Sequence, residues 1–222
     1  MEFESHYFED LAKPERSETR VTRYEPKTIH VPKNGYLYRD GDLADRVLFI
    51  TEGVYCTSKV SSDGLRQIIT IGFPGDMQGT FSGDHHDCDC EAITPVSAEV
   101  YKRAEFDELV RIDPVFRERV MRLMASEIDN LRTHFTMLNK KHAIGRLAAF
   151  LCFFTERYGE QESDGIRLSL PMAREDIADF LHLTAETVSR HFTYLKKEGT
   201  IVCMGPRALN IVRLARLRQL AE

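Results

Sequence analysis

Met172-Ala-Arg-Glu-Asp-Ile-Ala-Asp-Phe-Leu-His-Leu-Thr-Ala-Glu-Thr-Val-Ser-Arg-His-Phe-Thr-Tyr-Leu195 decides how this chain is read. Apolar residues recur at helical spacing in two short runs: Ile177, Ala178 and Leu181, then Val188, Phe192 and Leu195. Ala178 is small where two helices would cross closely. Between the runs lies a tight turn at His182, where a left-handed residue is usual and histidine is tolerated better than most. Thr184 stands where an N-cap is wanted, because its hydroxyl can hold a backbone N–H that the helix leaves unpaired. Lys196 and Lys197 fall at the far end, where the helix dipole favours cations. On the second helix, Glu186, Ser189 and Arg190 are three and four residues apart and share one exposed face. Side chains of these types can read base edges in a DNA major groove. The stretch predicts a helix-turn-helix whose second helix enters that groove. Thr184 and Thr187 complete the DNA-facing set, with Thr187 directed at phosphate. The alternative is a helical pair that only packs a core, with Glu186 and Arg190 as a surface ion pair.

The charge is compatible with this once it is divided. The 222 residues carry a net charge of −5, which alone argues against a DNA binder. Residues 140–222 hold 13 Lys and Arg against 10 Asp and Glu, a balance of +3. Residues 1–139 hold 17 against 25, a balance of −8. An acidic sensory or scaffold module joined to a DNA-facing one fits this asymmetry. No apolar run reaches the length of a membrane span, so no membrane role is expected. Met1–Asp10 is acidic and lacks a signal-peptide pattern. Five scattered cysteines do not form a secreted disulfide framework, and a cytoplasmic protein is the simplest expectation.

Working outward, residues 28–101 read as β structure. Val47-Leu-Phe-Ile50 and Ile68-Ile-Thr-Ile71 are short apolar runs between glycine-marked turns, and Asp63-Gly64 is a hairpin signal. Many short strands predict a jelly roll or β-roll. Ala104–Arg111 is a short helical stretch. From Asp113-Pro114 to about Asn139 the period becomes 3.5: Met121, Met124, Ile128, Leu131, Phe135 and Leu138 step by three and four. With polar flanks this predicts a dimer seam, the alternative being one amphipathic helix lying on its own domain. A second helix spans His142–Tyr158, with Ile144, Leu147, Leu151 and Phe154 on its apolar face. Gly159–Gly165 reads as a polar loop. Ile201–Val212 reads as a β-hairpin wing turned at Gly205-Pro206. The expected class is α+β: a sensory roll over 1–112, a dimerisation helix over 113–140 and a winged helix-turn-helix over 141–222.

In this order the parts resemble the Crp–Fnr superfamily of transcription regulators, over almost the whole chain. The Phe73-Pro-Gly-Asp76 turn, Met121-Arg-Leu-Met124 with Glu127-Ile128, Arg146-Leu-Ala-Ala-Phe150 and Glu186-Thr-Val-Ser-Arg190 resemble its Fnr and FixK branch. The resemblance implies a homodimer, a double-stranded DNA palindrome and RNA polymerase as a partner. Cyclic-AMP receptors carry arginine before the glutamate of the recognition helix, and Ala185 stands there. The Glu186, Ser189, Arg190 triplet matches the Fnr type, which implies a site like TTGAT, a four-base spacer, then ATCAA. Arg190 would bond guanine, Glu186 would accept from the cytosine amino group and Ser189 would contact thymine.

The sensory half departs from each ligand-binding pattern of the superfamily. Where cyclic-AMP binders place Arg-Ser on the phosphate, this chain has His85-His86, followed by Asp87. Oxygen sensors hold an iron–sulfur cluster on cysteines near the N-terminus and one in the roll. Here no cysteine precedes Cys56 and the roll position is Ala98, so four thiolates are not expected to converge. Carbon-monoxide sensors use a histidine where Phe81 stands. No cofactor is expected. The dense run His85-His86-Asp87-Cys88-Asp89-Cys90 leaves open a metal- or redox-responsive regulator, with His85, His86, Cys88 and Cys90 as candidate ligands. The bland reading is a polar loop. Cys152 reads as core, Cys56 as part of a strand, and Cys203 lies near the wing, where oxidation could disturb docking. An enzyme is not expected. A cupin-like metalloenzyme using His85, His86 and Glu91 would leave the helix-turn-helix unexplained. A cyclic-nucleotide module that does not bind DNA would lack its phosphate arginine.

Overall fold

The computed structural model describes residues 24–79, 83–205 and 207–222. Met1–Asp10, Phe81 and Pro206, which figure in the sequence reading, lie outside the described residues. The chain is α+β and divides into two compact units, one running to Leu131 and the other starting at Arg132.

The first unit is a roll of two antiparallel four-stranded sheets. One orders β1 (Lys27–Val31), β8 (Val96–Lys102), β3 (Arg46–Glu52) and β6 (Met77–Gln78). The other orders β2 (Tyr36–Tyr38), β7 (Asp89–Ala92), β4 (Tyr55–Val60) and β5 (Arg66–Gly72). The run Val47–Ile50 is continuously apolar because β3 is buried on both faces. Leu48 and Ile50 point between the sheets to meet Tyr38, Tyr55, Cys90, Ala92, Val96 and Ala98. Val47 and Phe49 point outward against Tyr101, Phe106, Leu109 and Val120. Phe106 and Leu109 come from α1 (Arg103–Ile112), and Val120 from α2 (Pro114–Leu138). Asp113 starts α2 by accepting from the backbone N–H groups of Val115 and Phe116 at 2.9 and 3.1 Å.

Two turns behave as the sequence reading expected. Gly64 closes the β4–β5 hairpin at φ 80°, and Gly75 sits at φ 100° in the Phe73–Asp76 turn. There the Asp76 carboxylate accepts from the Phe73 N–H at 2.8 Å. Both glycines hold a left-handed backbone that side chains resist.

The second unit contains α3 (Ala143–Tyr158), α4 (Arg174–Leu181), α5 (Ala185–Lys197) and α6 (Leu214–Ala221). Its four-stranded sheet orders β11 (Ile201–Cys203), β12 (Ala208–Ile211), β10 (Gly165–Ser169) and β9 (Glu160–Glu162). The wing hairpin is β11–β12, as expected. Residues 159–165 are not simply a polar loop: β9 and β10 form a hairpin there, with Gln161 opposite Ile166. An edge strand reading Glu-Gln-Glu has no apolar alternation to reveal it. On α3, Leu147, Leu151 and Phe154 are buried, while Ile144 is only half-buried.

Candidate nucleic-acid interface

Thr184 caps α5, and its hydroxyl accepts from the Thr187 N–H at 3.1 Å. Behind the cap, Val188, Phe192 and Leu195 are buried, as are Ile177, Ala178 and Leu181 on α4. The turn between the helices puts His182 at φ 51°, a left-handed conformation achieved without glycine. This packing leaves Glu186, Ser189 and Arg190 exposed on the outer face of α5. The exposed side chains are linked to one another. The two threonine hydroxyls lie 2.8 Å apart, and Arg190 donates to the Thr187 hydroxyl at 3.2 Å. Arg190 Nε also lies 3.9 Å from the Glu186 carboxylate. With both groups more than two-thirds exposed this pair contributes little stability. Helical spacing itself sets guanidinium, carboxylate and hydroxyls side by side on one surface.

The seam residues occupy one stripe of α2. Met121, Met124, Ile128, Leu131 and Phe135 are exposed, Phe135 by 70%, and Leu138 is half-buried. The stripe one residue to its side is covered by the chain itself: Val120, His134 and Met137 are buried, and Leu123 and Glu127 half-buried. Two adjacent stripes of the same period thus meet different fates. Covering one accounts for an amphipathic helix on its own domain, and does not account for the second.

The interior of the roll is occupied by its own side chains. Tyr38 donates to Gln78 Oε1 at 2.8 Å, Gln78 Nε2 donates to the Tyr55 hydroxyl at 2.8 Å, and Tyr55 donates to Asp76 at 3.3 Å. A Cβ on Gly72 would overlap the hydroxyl end of the Tyr55 ring, so the glycine makes room for the tyrosine. Burial holds both phenols well above the usual range, hence protonated and donating. Sequence patterning missed this chain of hydrogen bonds, because Tyr38, Tyr55 and Gln78 come from three separate strands. Below it, Glu127 of α2 accepts from the Thr70 hydroxyl at 3.2 Å. Burial first, and the Asp76 carboxylate second, raise the Glu127 pKa.

The His85–Cys90 run does not gather its donors. His85 is exposed. His86 is buried and stacks on Tyr38 with centroids 3.7 Å apart, and burial lowers its pKa. Cys90 is wholly buried, and Cys88 lies beside the same tyrosine. Burial pushes the Cys88 thiol up to about 11 and raises Cys90 above its ordinary value, which keeps both protonated near neutral pH. Glu91 is held by Arg66 at 3.0 Å, and Arg66 also donates to Cys56 Sγ at 3.2 Å. Among the described residues, no group of three or more His, Cys, Asp or Glu side chains is placed to hold a metal ion. Ala98 is fully buried in the roll. Cys152 is buried on α3, where burial raises its thiol to about 11. Cys203 is half-buried on the wing strand β11.

Comparison with known proteins agrees with this arrangement. Residues 28–113 match the cyclic nucleotide-binding domain family, and residues 145–220 match the Crp-like helix-turn-helix domain family. The nitrogen fixation regulation protein FixK of Rhizobium meliloti is 33% identical over 89% of this chain and 89% of its own. The transcriptional activatory protein AadR of Rhodopseudomonas palustris is 34% identical over 85% of this chain and 77% of its own. The solved structure of FixK2 from Bradyrhizobium japonicum superposes with a TM-score of 0.80 at 30% identity, covering 90% of this chain and 98% of that one. On this similarity, and on the exposed triplet of a capped second helix, the chain belongs to the Crp–Fnr family of DNA-binding transcription regulators, among its FixK-like members.

Proposed function

We propose that this protein is a homodimeric transcription activator that reads a palindrome of the form TTGAT, a four-base spacer and ATCAA, and that it does so without a cyclic nucleotide or an iron–sulfur cluster. The observation that carries the reading is the exposed face of α5. Arg190 presents a guanidinium suited to guanine, Glu186 a carboxylate suited to the cytosine amino group, and Ser189 a hydroxyl for thymine. Thr184 and Thr187 stand at the helix N-terminus, where phosphates are favoured. The exposed Met121–Leu138 stripe supports pairing of two protomers, which a palindrome requires. Activator is what the names of relatives such as AadR say of them, and RNA polymerase is the partner that role implies.

Independence from effectors rests on the roll. Its interior is filled by Tyr38, Tyr55 and Gln78, and of the two histidines at the place of the Arg-Ser pair, His85 is exposed and His86 is buried against Tyr38. A bound phosphate needs charge-assisted donors, which a neutral stacked imidazole does not supply. The cysteines do not offer four converging thiolates. Among the described residues no helix is long and apolar enough to cross a membrane, in keeping with a cytoplasmic regulator. Gel-shift titration of the purified protein against the palindrome and each of its single-base variants tests the reading. Selective binding without added ligand supports it, and equal affinity for all duplexes contradicts it.

A further inference from the structure

We propose that His134 and Arg146 clasp the C-terminal end of α4 to the last turns of α2, and thereby set which half-site spacing the dimer accepts. This rests on the palindrome-reading function proposed above. The last carbonyls of an α-helix have no partner within it. At the end of α4 they are taken up from two other helices. His134 of α2 places Nε2 2.6 Å from the Phe180 carbonyl, so Nε2 must carry the proton, since a carbonyl only accepts. Its ring lies flat on the Phe180 ring, with centroids 3.7 Å apart and planes 5° from parallel. Arg146 of α3 donates to the Leu181 and His182 carbonyls at 3.3 and 3.4 Å, and to the Lys140 carbonyl at 3.2 Å. One guanidinium therefore bridges the exits of α2 and α4, both negative ends of helix dipoles.

The placement matters for reading. Leu181 and His182 lead directly into the left-handed turn that aims α5. His134 precedes Phe135, a residue of the exposed seam. The same turn of α2 therefore gives one side to the proposed two-fold contact and the other to the reading head. Each base pair adds about 3.4 Å and about 35° of rotation along the duplex, so a head held loosely in both position and angle would accept a neighbouring spacing. His134 and Arg146 are positioning residues: they touch no base, and act through the angle at which α5 is held.

The test uses full-length protein and duplexes carrying the two half-sites with three-, four- and five-base spacers, plus a single half-site duplex. Sedimentation in parallel reports the dimer. His134→Ala is expected to cut the preference for the four-base spacer over its neighbours by about tenfold, the size set by losing one buried hydrogen bond. Half-site affinity and dimerisation should hold. His134→Gln, which keeps an N–H donor near the Nε2 position, should restore much of the preference. If His134→Ala loses its fold by circular dichroism, Arg146→Met provides the same comparison, with the same loss of preference expected. An unchanged spacer preference in a folded variant, or equal weakening on every duplex, overturns the clasp. A wild-type protein that shows no spacer preference at all overturns the functional reading beneath it, and the clasp falls with it.

Discussion

Gln78 donates its amide to the hydroxyl of Tyr55 at 2.8 Å between the two sheets of the roll. The pair joins a β6 residue to a β4 residue and occupies space that a roll of this family can give to a ligand. Calorimetry with cyclic AMP and cyclic GMP should therefore show no binding and no change in DNA affinity. Micromolar binding that switched DNA affinity would contradict this.

The same pair sets a stability prediction. Tyr55→Phe keeps the ring and removes the hydroxyl that Gln78 and Asp76 address. Leaving buried polar groups unmet costs about 1–3 kcal/mol, which urea unfolding should report as a lower midpoint with an unchanged slope. A neutral substitution would mean that water replaces the phenol easily, and that the interior is not closed.

Glu127 supplies a pH-dependent prediction. Its pKa is raised in the folded protein, chiefly by burial and then by Asp76. A carboxyl with a raised folded pKa weakens the fold once ionised, and the loss is relieved as pH falls below its folded and unfolded values. Glu127→Gln keeps an oxygen acceptor for the Thr70 hydroxyl and removes the charge. It should stabilise the protein near pH 7, with the gain shrinking toward pH 4. A gain of equal size at both pH values would assign the effect to something other than ionisation.

Leu131 lies mid-seam between Ile128 and Phe135, 39% exposed in the single chain. Burial of such a side chain contributes about 1.5–3 kcal/mol. Leu131→Asp would place two carboxylates across the two-fold axis, so dimer and DNA binding should weaken together. Sedimentation and gel shift read the two effects. A dimer as tight as wild type would remove Leu131 from the seam.

Much of this was legible in the sequence, for identifiable reasons. The two helices of the reading head announced themselves by apolar spacing, and Thr184 by its position before the second. The alternation of β3 was hidden by burial on both faces, yet its continuous run still marked a strand. The double stripe on α2 was only half visible: Met121 to Leu138 stood out, while Glu127 and His134 broke the second stripe with polar side chains whose partners lie far away in sequence. The β9–β10 hairpin escaped because its edge strand is charged, although Asp164-Gly165 at its turn was a signal available to be used. The roll's hydrogen-bond chain and the hold of His134 and Arg146 on α4 are contacts between distant segments, which periodicity does not encode.

Under the proposed function, Arg190 and its neighbours read a specific palindrome in a dimer that needs no ligand. The most direct measurement compares wild type and Arg190→Ala, purified in air with metal and nucleotide shown absent, on the TTGAT–ATCAA duplex and on duplexes altered at the guanine. Wild type should bind as a dimer and lose about 1–3 kcal/mol on the altered sites, while Arg190→Ala should bind all of them alike. Wild type that binds only after a ligand or cluster is supplied, or Arg190→Ala that keeps the full guanine preference, would contradict ligand-free reading by Arg190.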